Sequence, residues 1–169
     1  LDARITAVDL FPEFLDELDA AAARDGVADR VSSLRADMGD LPFDDNAFDA
    51  IWSEGAIYNI GFARGLRAWR RFLKPGGILA VSELCWLTGQ RPDALKAYWA
   101  AQYPEVGSVA EKVAVLENLG FALQGYFPLP GHCWLDNYYR PTQARIDAFL
   151  QRQGYSDAAQ AIVAEDRQE

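Results

Sequence analysis

Three acidic residues stand where apolar runs of strand length give out: Asp9 after Ile5 to Val8, Asp37 after Val31 to Ala36, and Glu54 after Phe48 to Ser53. Beyond the carboxyl end of a strand in an open α/β sheet, a carboxylate can accept both hydroxyl hydrogens of a ribose. Asp9 suits that work and equally suits capping of the helix that follows. Asp37-Met38, with Leu41-Pro42-Phe43 behind it, offers an acceptor, a backbone amide and an apolar thioether, which an adenine edge and face require. An Asp-containing turn with ordinary packing is the simpler reading of the same residues. Gly55 permits close approach of backbone to a ligand, and Glu54, Tyr58 and Asn59 add polar groups beside it. Three strand ends each carrying an acid are harder to attribute to chance than any one of them.

These residues work together only if the chain forms a sheet with its strand ends on one edge. Ile5 to Leu10 reads as a short buried strand, and Phe14, Leu15, Leu18 and Ala22 fall on one helical stripe opened by Pro12 and closed by Gly26. Val31 to Ala36 and Phe48 to Ser53 are further strands. Phe62, Leu66, Trp69 and Leu73 recur at helical spacing, Lys74-Pro75-Gly76-Gly77 stops that helix, and Ile78 to Leu84 follows as a strand. The runs are apolar enough to predict a mostly parallel sheet flanked by helices. Helices are expected at about 92–103 and 108–119, a strand at Phe121 to Phe127, and an aromatic loop at His132 to Tyr139. A helix carrying Ile146, Phe149 and Leu150 and a last one around Ala158 to Ala164 complete the series.

The 169 residues, half of them hydrophobic, suit a single domain, and the net charge of −9 disfavours a nucleic-acid partner. Arg64, Arg67, Arg70 and Arg71 form the one dense basic cluster, on what should be a solvated helix face. Cys85 and Cys133 lack C-x-x-C partners, so reduced thiols, a cytoplasmic location and no metal site are expected. Neither a membrane-spanning run nor a signal-peptide pattern is present in the sequence, so no membrane partner is expected. A start at Leu1 is expected of a fragment or processed form, although a cloning choice gives the same start.

The succession Val8-Asp9, Asp37-Met38 with Leu41-Pro42-Phe43, Phe48-Asp49-Ala50-Ile51 and Leu73-Lys74-Pro75-Gly76-Gly77 resembles the motifs of class I, Rossmann-like S-adenosylmethionine-dependent methyltransferases. The likeness covers roughly Ala3 to Glu83. Ser53 to Gly61, His132-Cys133-Trp134 and Tyr138-Tyr139 resemble a bacterial small-molecule subgroup. The resemblance implies S-adenosylmethionine as cofactor and a small-molecule methyl acceptor. It implies that Asp9 holds the ribose hydroxyls, that Leu10 packs on the adenine, and that Asp37 with the Met38 amide reads its edge. Glu54 and Gly55 would lie near the methionine portion. His132, Tyr58 and Glu83 are the candidate bases, and Asn59, Trp86 and Trp134 the candidate acceptor contacts. A cofactor-side part over 1–86 and a helical, aromatic substrate-side part over 87–169 are expected. Trp86, Tyr98, Trp99, Tyr103, Trp134, Tyr138 and Tyr139 could line an acceptor pocket, with core packing expected of most.

The family's first strand and glycine-rich turn should precede Ala3, no two glycines stand as G-x-G, and no closing strand follows the last helix. The central slot of the sheet is then closed by rearrangement or filled by another chain, as in a homodimer. A degenerate binding or scaffold subunit and a nicotinamide oxidoreductase using Asp9 on its ribose are the alternatives. Sequence upstream of Leu1 separates an enzyme from a scaffold.

Overall fold

The computed structural model describes residues 2–167. The chain forms two compact units, residues 1–123 and 124–169. This division falls later than the expected one after residue 86, because the segments that follow continue to pack on the first unit.

The first unit opens with β1 (Ile5–Asp9), α1 (Pro12–Arg24), β2 (Val31–Arg35) and β3 (Phe48–Ser53). It continues through α2 (Phe62–Trp69), β4 (Leu73–Val81), β5 (Cys85–Trp86), α3 (Asp93–Gln102), β6 (Gly107–Ser108) and α4 (Val109–Asn118). The strands pair in parallel as β1 with β2, β3 with β4 and β5 with β6, each a separate two-stranded sheet. β1 and β3 are not bonded to one another, so rearrangement has not joined the two halves. Ile5, Trp52 and Ile78 are correspondingly exposed.

α1 starts with Pro12 at its first turn, where the missing N–H costs nothing, and buries Leu15 and Ala22. The main core packs Ile57, Phe62, Leu66, Trp69 and Phe72 against Met38, Leu41, Phe43, Phe48, Ile51 and Leu79. Gly65 sits inside it, where an added Cβ would lie 2.7 Å from the Ile57 side chain, itself wholly buried. Gly65→Ala is expected to cost about 1–3 kcal/mol by overpacking, read from urea denaturation.

β4 begins five residues earlier than expected. Phe48 pairs with Leu73 and Ala50 with Ile78, so Lys74 to Gly77 bulge out of the ladder where a clean break was expected. The strand expected at Phe121–Phe127 is absent, its residues being irregular and, after Phe121, exposed. No strand of the sheets runs through it, since the strand pairings join only β1 with β2, β3 with β4 and β5 with β6.

The second unit contains α5 (Gly131–Trp134), a π-helical turn (Leu135–Tyr139), α6 (Arg140–Arg152) and α7 (Asp157–Asp166). The expected aromatic loop is therefore helical: Pro130 serves as the N-cap, and Tyr138 packs edge-on against both Trp134 and Tyr139. Ile146, Ala159 and Val163 are buried in this unit.

Candidate functional site

Parallel pairing brings Asp9 opposite Arg35, and the Ala36 amide donates to the Asp9 carbonyl at 3.1 Å. Asp37 follows directly, so both carboxylates occupy the carboxyl-terminal rim of neighbouring strands. Each is oriented by its own turn: the Phe11 amide donates to Asp9 Oδ1 at 2.9 Å and the Gly39 amide to Asp37 Oδ1 at 2.7 Å. Asp9 thus closes a turn ahead of α1, whose N-cap Phe11 makes no side-chain cap bond, and that turn uses one oxygen. Oδ2 of each has no donor among the described residues.

Since the first two sheets share no ladder, the loop after β2 fixes this rim to the core. The Trp69 indole N–H donates to the Met38 carbonyl at 2.8 Å, and Met38, Leu41 and Phe43 pack on the core around it. Leu10 is exposed beside the rim.

β3 and β4 end at the corresponding rim of their own pair, with Ser53 opposite Val81 and the Ser82 amide donating to the Ser53 carbonyl at 2.9 Å. Gly55 has φ +54°, donates its amide to Ser82 Oγ at 2.7 Å, and has open space where a Cβ would stand. Glu54, Tyr58 and Asn59 are exposed here, and Asn59 Nδ2 donates to the Ala56 carbonyl of its own turn.

Just beyond β4 lies a buried polar cluster. Glu83 Oε1 accepts from the Tyr103 hydroxyl at 2.7 Å and from Lys112 Nζ at 2.7 Å, with the Glu83 side chain 6% exposed. Lys112, the one buried residue of α4, lies 4.7 Å from the Phe62 ring centroid and 5.1 Å from that of Tyr103. Tyr58 meets Tyr103 edge-on with centroids 6.0 Å apart. Burial first, then the hydrogen bond to Glu83 and its charge, push the Tyr103 hydroxyl far above its usual value. Burial, with the Glu83 charge second, pushes the Cys85 thiol up.

A raised hydroxyl means that the folded chain holds this proton more tightly than the unfolded one. The corresponding stability is fully present below the usual 10.0 and declines as pH rises past it. Tyr103→Phe is expected to flatten the alkaline limb of a denaturation series run from about pH 8 to about pH 11.

The structure thus gathers Asp9, Asp37 and Met38 on one rim, Glu54 and Gly55 on another, and links Tyr58 to Glu83 through Tyr103. Trp86 lies in β5 with the Arg91 guanidinium 5.0 Å from its ring centroid. His132 and Trp134 are exposed residues of the second unit. Of the seven aromatics expected mostly in the core, only Tyr103 is buried, because the rest lie on short strands and helices with one open face. Arg64, Arg67, Arg70 and Arg71 are exposed, with Arg71 3.5 Å from Asp45. Among the described residues no helix is long and apolar enough to cross a membrane. Sequence reasoning missed Lys112; a lone lysine among the apolar residues of Val109–Leu116 is the signal that could have found it.

Residues 1–81 match the protein family described as "Methyltransferase domain". The chain has the class I methyltransferase fold. A sterol 24-C-methyltransferase of Neurospora crassa is 26% identical over 88% of this chain and 43% of its own length. Among solved structures, a SAM-dependent methyltransferase from Geobacter sulfurreducens in complex with S-adenosyl-L-homocysteine gives a TM-score of 0.75 at 22% identity. It covers 96% of this chain and 65% of that one. The [4+2]-cyclase SpnF gives 0.74 at 23% identity over 97% of this chain and 59% of that one. This methyltransferase-fold chain therefore spans less than half of the sterol relative and about three-fifths of the solved neighbours. A cyclase among the neighbours means that the methyltransferase fold does not by itself assign the reaction.

Proposed function

We propose that the protein binds S-adenosylmethionine across Asp9 and Asp37 and transfers its methyl group to a small molecule. The single observation that carries this reading is the placement of both carboxylates on the same rim of adjacent parallel strands, each with Oδ2 uncommitted. The residues present fit the nucleoside half of the cofactor. Asp9 would accept from the ribose hydroxyls, Asp37 from the adenine amine, the Met38 amide would donate to a ring nitrogen, and Leu10 would cover the ring face. Open space over Gly55 suits the sulfonium end.

The bound cofactor supplies an electrophilic methyl on sulfur, ready for direct displacement. The chain's own work is orientation and exclusion of water, with no covalent intermediate. Glu83 or Tyr58 is the proposed base where the acceptor starts protonated, and Asn59 and Trp86 are proposed acceptor contacts. A cytoplasmic location belongs to the same proposal, as does the absence of nucleic-acid and membrane partners. A second chain, as in a homodimer, would fill the opening between β1 and β3.

Thermal denaturation with S-adenosylhomocysteine and with NAD in parallel tests the reading. S-adenosylhomocysteine at 100 times its Kd is expected to add about 2.7 kcal/mol and raise Tm, with NAD leaving it unchanged. A rise with NAD alone selects the oxidoreductase, and no rise with either selects the scaffold.

A further inference from the structure

Among the described residues, two buried side-chain polar atoms lack a hydrogen-bond partner, Ser53 Oγ and Glu83 Oε2. Both lie at the carboxyl ends of β3 and β4: Ser53 closes β3 opposite Val81, and Glu83 stands two residues past Val81. Buried orphans are uncommon and costly, and two at one rim call for a common cause. Glu83 is markedly lopsided. Oε1 takes both the Tyr103 hydroxyl and the Lys112 ammonium, whereas Oε2 takes nothing. Lys112 lies against the Phe62 and Tyr103 rings, and Tyr103 is itself buried, so both donors are held on the Oε1 side.

We propose that Glu83 Oε2 accepts a hydrogen bond from a hydroxyl group of the methyl acceptor, with Lys112 and Tyr103 as positioning residues that hold the carboxylate for it. This rests on the methyl-transfer reading of the same rim. A hydroxyl fits better than an ammonium on two grounds. The Lys112 ammonium, 2.7 Å from the carboxylate, already offsets its charge and would repel a second cation. Ser53 Oγ can donate to the lone pairs of a hydroxyl, and an ammonium has none. Both orphan atoms are covered, so the incoming group must displace what covers them.

The test uses phenol and anisole as probes, the second having the ring and the oxygen without a hydrogen to donate. Binding of each is followed by NMR titration of the tyrosine ring resonances, with S-adenosylhomocysteine affinity measured on the same samples. The wild-type chain is expected to bind phenol at least about tenfold tighter than anisole, the discrimination of one charge-assisted hydrogen bond. The ratio should fall below about threefold in Glu83→Gln and Tyr103→Phe and persist in Lys112→Arg, on the same scale. A purely structural role would lower Tm and leave the ratio unmoved. Equal affinities in the wild type, no phenol binding, or a ratio undiminished in Glu83→Gln and Tyr103→Phe overturns the proposal. Retained S-adenosylhomocysteine binding confines that failure to this site, and its loss places the failure in the methyl-transfer reading itself.

Discussion

Lys112→Met is expected to lower the stability of the chain by about 3–5 kcal/mol, because it leaves the Glu83 carboxylate charged and buried with a single remaining donor. A methionine fills much of the lysine's volume, so the loss comes from the uncompensated charge and only slightly from packing. The triple variant with Glu83→Leu and Tyr103→Phe removes the charge and its second partner together. It should recover most of the deficit, since a buried pair replaced by apolar residues of similar size is commonly neutral or better. Urea denaturation of the two variants decides the matter. A single variant that loses under about 1 kcal/mol would mean that water reaches the cluster and screens it, as at an exposed pair.

Asp9→Asn and Asp37→Asn are each expected to weaken S-adenosylhomocysteine binding about 10- to 100-fold, from charge-assisted hydrogen bonds of about 1.5–3 kcal/mol. Asparagine is the informative replacement. Its Oδ1 can still accept from the Phe11 or Gly39 amide, so the turn survives, while the charge that strengthens bonds to ribose hydroxyls and the adenine amine is gone. Asp9→Ala would confound the two effects, because it also removes the Phe11 contact of the turn ahead of α1. Calorimetric titration together with a melting curve separates affinity from stability. Unchanged affinity in both variants would leave the carboxylates as turn residues.

Much of the rim was legible in the sequence for a local reason. Ile5–Asp9, Val31–Arg35 and Phe48–Ser53 are short strand-length runs with an acid at or beyond each end, and helical spacing of Phe62, Leu66 and Trp69 marked the face that became the core. What escaped depends on distant neighbours. Lys112 is separated from Glu83 by 29 residues, and although its apolar neighbours mark it locally, the destination of its ammonium is set by where β4 ends. Phe121–Phe127 has strand composition and is nevertheless irregular and mostly exposed, since strand propensity alone does not place a segment in a sheet. The loop expected from His132 onward is instead a helix begun at Pro130-Gly131, since proline is tolerated at a helix start as well as in a turn.

The account stands most directly on a structure determined with S-adenosylhomocysteine bound. Density for the adenosine is expected along the rim of β1 and β2, with the ribose hydroxyls on Asp9 and the adenine edge on Asp37 and the Met38 amide. An adenosine found elsewhere, or one contacting neither carboxylate, would contradict it.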